Sequence, residues 1–304
     1  GNACDRARVP GGSSAGAGVA AGLGIGEIAI GTDTGGSVRI PAALNGVVGF
    51  KPSAPRVPRE GAFPLSYTLD SIGPLAQSVT LCAMADAVMA GEAWAGLTPV
   101  PLAGRKVAVV EEFLGNTEPE VMAAFEDSLK RLEAAGIQVT RAAIGDLVLD
   151  MRETLAQGPI VPVEAAEIHA SHLETRRAEF DPQVLGRILQ GLDVPAPRYL
   201  ASLRRRRRLV DALDARLAEG LLLAMPTTPM VAPTIADVTD ADAFRAINAL
   251  MLRNTSFGNF FDLCGISLPM PKAGMPAGLM LMGAHGTDAA LLSLSLTMEP
   301  LLKP

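Results

Sequence analysis

Residues Gly11–Pro41 read GGSSAGAGVAAGLGIGEIAIGTDTGGSVRIP, and the two serines in its glycine-rich turns, Ser13 and Ser37, lie 24 residues apart. Small residues from about Ser14 to Leu23 predict a helix that packs closely on several sides and is therefore buried. Ile28-Ala29-Ile30 predicts a short buried strand leading into the second turn. There Gly35-Gly36-Ser37 offers consecutive backbone N–H groups beside a hydroxyl. Glycine permits positive φ and lets amides approach a ligand closely, which is how an oxyanion hole is built next to a nucleophile. An isolated Gly-Gly-Ser would read as a turn with a capping serine; the length of the surrounding pattern is what favours chemistry.

That pattern resembles the signature of the amidase signature family, serine hydrolases with a Ser-Ser-Lys triad, whose usual form is GGSSGG…GTDTGGSxRxPA. The chain has Gly11-Gly12-Ser13-Ser14, then Gly31-Thr32-Asp33-Thr34-Gly35-Gly36-Ser37-Val38-Arg39-Ile40-Pro41-Ala42, and continues into Gly46-Val47-Val48-Gly49-Phe50-Lys51-Pro52. Ala15 stands where a glycine is usual and Ala17 where a serine is common. The resemblance implies that Ser37 attacks an amide carbonyl and forms an acyl-enzyme. It implies that Ser13, after a cis peptide bond, relays a proton between Ser37 and a lysine kept neutral by burial. It also implies an oxyanion hole from the amides of Thr34, Gly35, Gly36 and Ser37.

Other roles stand beside these. Ser13, beside its relay role, could also cap the helix that follows, and Ser14 is either a hydrogen-bonding support or a simple cap. Asp33 and Arg39 are expected to brace the loop through a buried ion pair or hydrogen bonds, the alternative for Arg39 being contact with a substrate carboxylate. In the family the lysine lies upstream of the first serine, and no lysine precedes Ser13 here. The lysines are Lys51, Lys106, Lys130, Lys272 and Lys303, of which Lys51 is assigned to the scaffold. With no initiator Met and a start almost inside a motif, the expectation is an N-terminally truncated fragment, crippled on its own, with exposed apolar surface that favours association.

The 304 residues are 49% hydrophobic and 19% charged, which places the chain among globular proteins. A net charge of −6 argues against nucleic acid or an anionic membrane as the main partner. No apolar run reaches membrane-spanning length, and Gly1–Pro10 lacks the apolar core of a signal peptide. Cys4, Cys82 and Cys264 are scattered, without CxxC spacing, so neither a disulfide framework nor a zinc site is indicated and a cytoplasmic setting is expected.

Further along, Ser53–Pro64 is a proline-rich loop, followed by an Asp70…Gly73-Pro74 segment that the family shares. Thr80–Ala90 predicts a helix. Lys106–Glu111, a helix opened by a capping box at Thr117 and Glu120, and Gln138–Arg141 predict a parallel βαβ unit. Residues from about Val163 to Gly220 read as helical, with segments at Glu164–Glu179 and Arg198–Glu219. Leu221–Met225, Ser267–Pro271 and Gly278–Gly283 read as strands, and Thr287–Leu302 as a terminal helix. Arg204–Arg208 is mostly a solvated face. His169 and His172, one turn apart, lack the partners of a metal site. Phe257, Phe260 and Phe261 fall in a stretch that shapes the family's pocket, with core packing as the plainer role.

The expected fold is an α/β/α sandwich around a mixed sheet, one amidase-type domain over 1–304 with a helical insertion around 150–220. The expected activity is hydrolysis of a small-molecule amide without cofactor or metal, by a homo-oligomer. Two alternatives are a glutaminase-type subunit of an aminoacyl-tRNA amidotransferase, whose complex is the one route to nucleic acid, and a degenerate member with a scaffold role.

Overall fold

A mixed sheet carries the molecule. The structure is a computed structural model, and it describes residues 1–217, 220–271 and 274–303. Its strands are β1 (Ile28–Asp33), β2 (Val48–Lys51), β3 (Ser71–Ala76), β4 (Lys106–Val109), β5 (Gln138–Arg141), β6 (Leu222–Pro226), β7 (Cys264–Pro269) and β8 (Gly278–Gly283). Among the described residues they form one sheet in the order β1-β3-β2-β7-β8-β6-β4-β5. β4 runs parallel to β5 and β6, as the strand–helix–strand pattern requires, and the other pairs are antiparallel.

The helices are α1 (Ala15–Leu23), α2 (Arg39–Asn45), α3 (Val79–Met89), α4 (Pro119–Ala134), α5 (Gly145–Gln157), α6 (Ile160–Ile168), α7 (Ala170–Thr175), α8 (Pro182–Leu189), α9 (Ala196–Leu217), α10 (Ala241–Phe260) and α11 (Asp288–Leu302). Strand alternation divides them into two layers. Leu222 and Ala224 of β6 face a core shared with α3, α4 and α11. Leu223 and Met225 face the opposite core, formed with α5, α9 and α10. α1 and α2 lie on this second side. The small residues of α1 have a packing reason: a Cβ on Gly18 would come within 2.8 Å of Pro41 Cβ. Without side chains there, α1 sits directly on α2 and fixes the Ser13 loop over the Ser37 turn.

Several expectations need correction. The strand at Ile28–Ile30 is not buried: β1 is a sheet edge, and Ile30 is 60% exposed. Thr117 does not cap α4. Glu118 is the N-cap, because Pro119 occupies N1 and holds the residue before it extended. The helix expected over Glu164–Glu179 is two helices, α6 and α7, meeting at His169. Glu219, the expected end of the long helix, and Lys272 lie outside the described residues. The 20-residue α10 had no sequence expectation; Asp240 caps it through the amides of Asp242 and Ala243.

Candidate active site

The turn Thr34–Val38 joins the edge strand β1 to the short helix α2. Asp33, fully buried at the end of β1, anchors it. Its Oδ2 accepts the amides of Val38 (3.1 Å) and Arg39 (3.4 Å), so a negative charge sits at the N-terminus of α2, where the helix dipole favours it. The Arg39 guanidinium, also fully buried, donates to both carboxylate oxygens, from Nε at 3.1 Å and Nη2 at 2.9 Å. Asn259 of α10 closes the group, donating to Asp33 Oδ1 (2.9 Å) and accepting from Arg39 Nη2 (2.7 Å). Burial alone would raise the Asp33 carboxyl, but the charge and hydrogen bonds of Arg39 override it and hold the group down at about 2. Asp33 and Arg39 therefore form the expected buried brace. At zero exposure, Arg39 has no surface to offer a substrate carboxylate, and that alternative is withdrawn.

Above this brace the amides of Thr34, Gly35, Gly36 and Ser37 find no hydrogen-bond acceptor among the described residues. Thr34 and Gly36 are buried and Gly35 and Ser37 half-buried; buried amides are almost always paired, so this row of open donors is a place that an acceptor can fill. Gly36 has φ +134°, and a Cβ there would collide with Thr255 Oγ1. Thr255, one turn before Asn259 on α10, donates to the Gly35 carbonyl at 2.6 Å. Fastening that carbonyl fixes the peptide plane, and so the direction of the next amide. Thr34 is tied separately, its hydroxyl donating to Asp70 Oδ1 at 2.5 Å.

Ser37 is half-buried and Ser13 exposed. The Ser14 amide donates to the Ser37 carbonyl at 3.3 Å and holds the two serine loops together. The Gly12–Ser13 peptide bond is cis. Among the described residues no hydrogen bond joins the two hydroxyls. Ser14, not Ser13, occupies the N-cap position of α1, yet its hydroxyl makes no capping bond. It bridges instead to the Thr32 amide (3.2 Å) and carbonyl (3.3 Å), pinning the loop to β1. The site thus holds a hydroxyl beside a row of free donors, an arrangement able to attack a carbonyl and stabilise the oxyanion.

The family model Amidase matches residues 1–292. The chain belongs to the amidase family. It is 34% identical to 2-amino-5-chloromuconic acid deaminase of Comamonas testosteroni, over 97% of this chain and 65% of that protein. It is 32% identical to mandelamide hydrolase of Pseudomonas putida, over 99% of this chain and 64% of that protein. The chain therefore spans about two thirds of the length of the curated relatives it matches. Among solved structures, one described as an amidase superposes with a TM-score of 0.88 at 36% identity, over 99% of this chain and 69% of its own. The solved glutamyl-tRNA(Gln) amidotransferase subunit of Thermotoga maritima gives 0.80 at 29% identity, over 100% and 70%. The mixed sheet is the family's fold.

The remaining candidates fall elsewhere. Lys51 is 1% exposed, and its Nζ donates to the Pro52 carbonyl at 2.7 Å. Burial and the nearby Arg39 charge push it down to about 8. Phe257, Phe260 and Phe261 are at most 1% exposed and pack ring on ring, so they are core and not pocket. The arginine run is mostly solvated, as expected: Arg204, Arg207 and Arg208 are exposed, while Arg206 is buried against Asp262 and Arg205 pairs with Asp150 and Glu153. His172 stacks with Phe63 and His169 meets the same ring at a tilt, and His285 meets the Asp262 carbonyl. A concavity of about 330 Å³ lined by Asn45, Gln77, Met270, Glu299 and Lys303 includes none of the turn residues.

Sequence reasoning missed Thr255 and Asn259. It read Asn254–Cys264 for its phenylalanines. A spacing of four, which puts 255 and 259 on one helical face, was the available signal.

Proposed function

We propose that this chain carries the acyl-transfer site of a serine amidase. Ser37 Oγ attacks the amide carbonyl, its proton passing through Ser13. The C–N bond then breaks, the amine leaves with a proton returned through Ser13, and water hydrolyses the ester on Ser37. The amides of Thr34, Gly35, Gly36 and Ser37 receive the oxyanion, at about 3 kcal/mol for a donor of this kind. Ser14, Asp33 and Arg39 support the turn without touching substrate. The observation that carries this reading is the row of amides without acceptors ending at a half-buried serine.

The base in this reading is a lysine, following the family resemblance. Lys51 is engaged with Pro52, so we infer that the 304 residues alone turn over poorly and that a lysine-bearing segment restores activity. Residues 1–304 act here as one catalytic unit with 150–220 as a helical insertion. Cys4, Cys82 and Cys264 are free thiols, which suits a cytoplasmic enzyme; no helix among the described residues is long and apolar enough to cross a membrane. The likeness to an amidotransferase subunit supports a second reading, in which the ammonia passes to a partner chain.

The test is ammonia release from aliphatic and aromatic amides by the chain, by Ser37→Ala, and by the chain joined to a lysine-bearing segment of a family member. Turnover that needs Ser37 supports the reading. Undiminished turnover in Ser37→Ala overturns it. Turnover by the 304 residues alone overturns the inference about the base. Co-purification with other chains favours the amidotransferase reading.

A further inference from the structure

Two buried carboxylates stand outside the turn and outside the acyl-transfer scheme. Asp70, 8% exposed, precedes β3. One oxygen accepts the Thr34 hydroxyl at 2.5 Å, and the other accepts the amides of Leu65 (2.8 Å) and Ser66 (2.9 Å). Glu164 of α6 is 5% exposed. It accepts the hydroxyls of Ser66 and Thr68, the Thr68 amide at 3.1 Å, and the Tyr199 hydroxyl of α9 at 2.7 Å. Arg59 stiffens the same loop from its other end, donating to the carbonyls of Tyr67 (2.8 Å) and Asp70 (3.2 Å).

Among the described residues neither carboxylate has a cationic partner. A buried carboxylate without one is tolerable only when neutral donors saturate it, and such charge-assisted bonds are short and stiff. Here the donors are not scattered. Those of Asp70 come from the amide turn and from residues 65–66; those of Glu164 come from residues 66–68 and from α9. The two carboxylates share Ser66, through its amide on one side and its hydroxyl on the other. The result is a continuous path, Tyr199 to Glu164 to Ser66 to Asp70 to Thr34, from the helices after β5 to the first amide of the turn. Hydrogen bonds linked in series through a mostly buried region polarise one another, so that a change at one end is felt at the other.

We propose that Asp70 and Glu164 are positioning residues through which the helical region sets the orientation of the Thr34–Ser37 amides. The proposal rests on the reading of that turn as an oxyanion hole. It gives the helices after β5 a means of tuning the rate of the chemical step as well as contacting substrate. Phe63, Leu65 and Tyr67, which project from the same loop at 67%, 40% and 57% exposure, are then displaced together with the turn.

The experiment uses the full chain labelled with ¹⁵N at glycine. The Gly35 and Gly36 amide resonances report the turn; Gly104, Gly115 and Gly136, near β4 and β5, are controls. Asp70→Asn, Glu164→Gln and Tyr199→Phe should move the Gly35 and Gly36 resonances in that descending order and leave the controls in place. Tyr199→Phe removes one hydroxyl from a part-buried position, so it keeps the test alive where a carboxylate variant fails to fold. Resonances of Gly35 and Gly36 that stay fixed in a folded Glu164→Gln or Tyr199→Phe chain overturn the proposal, since a role confined to fastening helices would move neither. A second readout is phosphonylation of Ser37 by a fluorophosphonate. Where wild type reacts, Glu164→Gln should lower the maximal rate about tenfold, the size of one lost charge-assisted bond, with little change in half-saturating concentration. A wild type that does not react follows from the missing base, and the glycine spectra then decide the positioning role by themselves.

Discussion

Asp33 and Arg39 allow a quantitative test of what holds the turn. Replacing Asp33 by Leu removes the acceptor for the amides of Val38 and Arg39, for Nε and Nη2 of Arg39 and for Asn259 Nδ2. It also strands a guanidinium at zero exposure. Breaking a buried pair from one side costs about 3–5 kcal/mol, because the surviving charge keeps its desolvation penalty. Replacing Arg39 by Met leaves the converse problem at the carboxylate and has a similar cost. At about 2.1 cal/mol/K per residue, a chain of this size loses about 5–8 °C of melting temperature for such a change. The double variant removes both charges and should lie within about 2 kcal/mol of wild type, the remainder reflecting lost capping of α2. Urea unfolding of the three variants, with thermal melts alongside, measures these differences. Single variants that cost less than about 1 kcal/mol, or a double variant as unstable as the sum of the singles, would refute the claim that the pair is a desolvated brace.

The same pair sets the acid limit. Asp33 is held at about 2, below its ordinary 3.8, so its stabilisation is complete above about pH 4 and is lost as pH falls toward 2; between pH 5 and 3, urea unfolding should show wild type losing about 1 kcal/mol relative to the double variant. Lys51 carries the opposite sign: held at about 8 against 10.5, it opposes folding below pH 8, and the cost fades as pH rises to 10.5. Lys51→Met should therefore raise stability at pH 7 by up to about 3 kcal/mol, with no gain left near pH 10.5. Gly36→Ala drives a methyl into Thr255 Oγ1 at φ +134° and should cost more than about 2 kcal/mol; adding Thr255→Ala should recover part of that in the melt while leaving the strain of the positive φ.

Much of this was legible in the linear sequence. The signature stretch located the Ser37 turn and its Asp33–Arg39 brace, because those interactions span few residues: Asp33 reaches Val38 and Arg39 within a single turn. The unit β4–α4–β5 was equally plain, since strand alternation and a helical stripe are local periodicities. Burial was harder. Ile30 is apolar and reads as core in the linear pattern, but its exposure follows from β1 lying at the sheet edge, a property of strand order.

The sequence by itself determined the family and the fold class, since these depend on residue type and short spacing. Only the tertiary structure decided what holds the turn in shape. Thr255 meets Gly35 across 220 residues, Asn259 meets Asp33 across 226, and Glu164 meets Thr68 across 96. No periodicity in one strand or helix encodes such contacts. They exist because the sheet brings β1 and α10 to the same end of the molecule, where the buried polar groups of one can be satisfied only by the other.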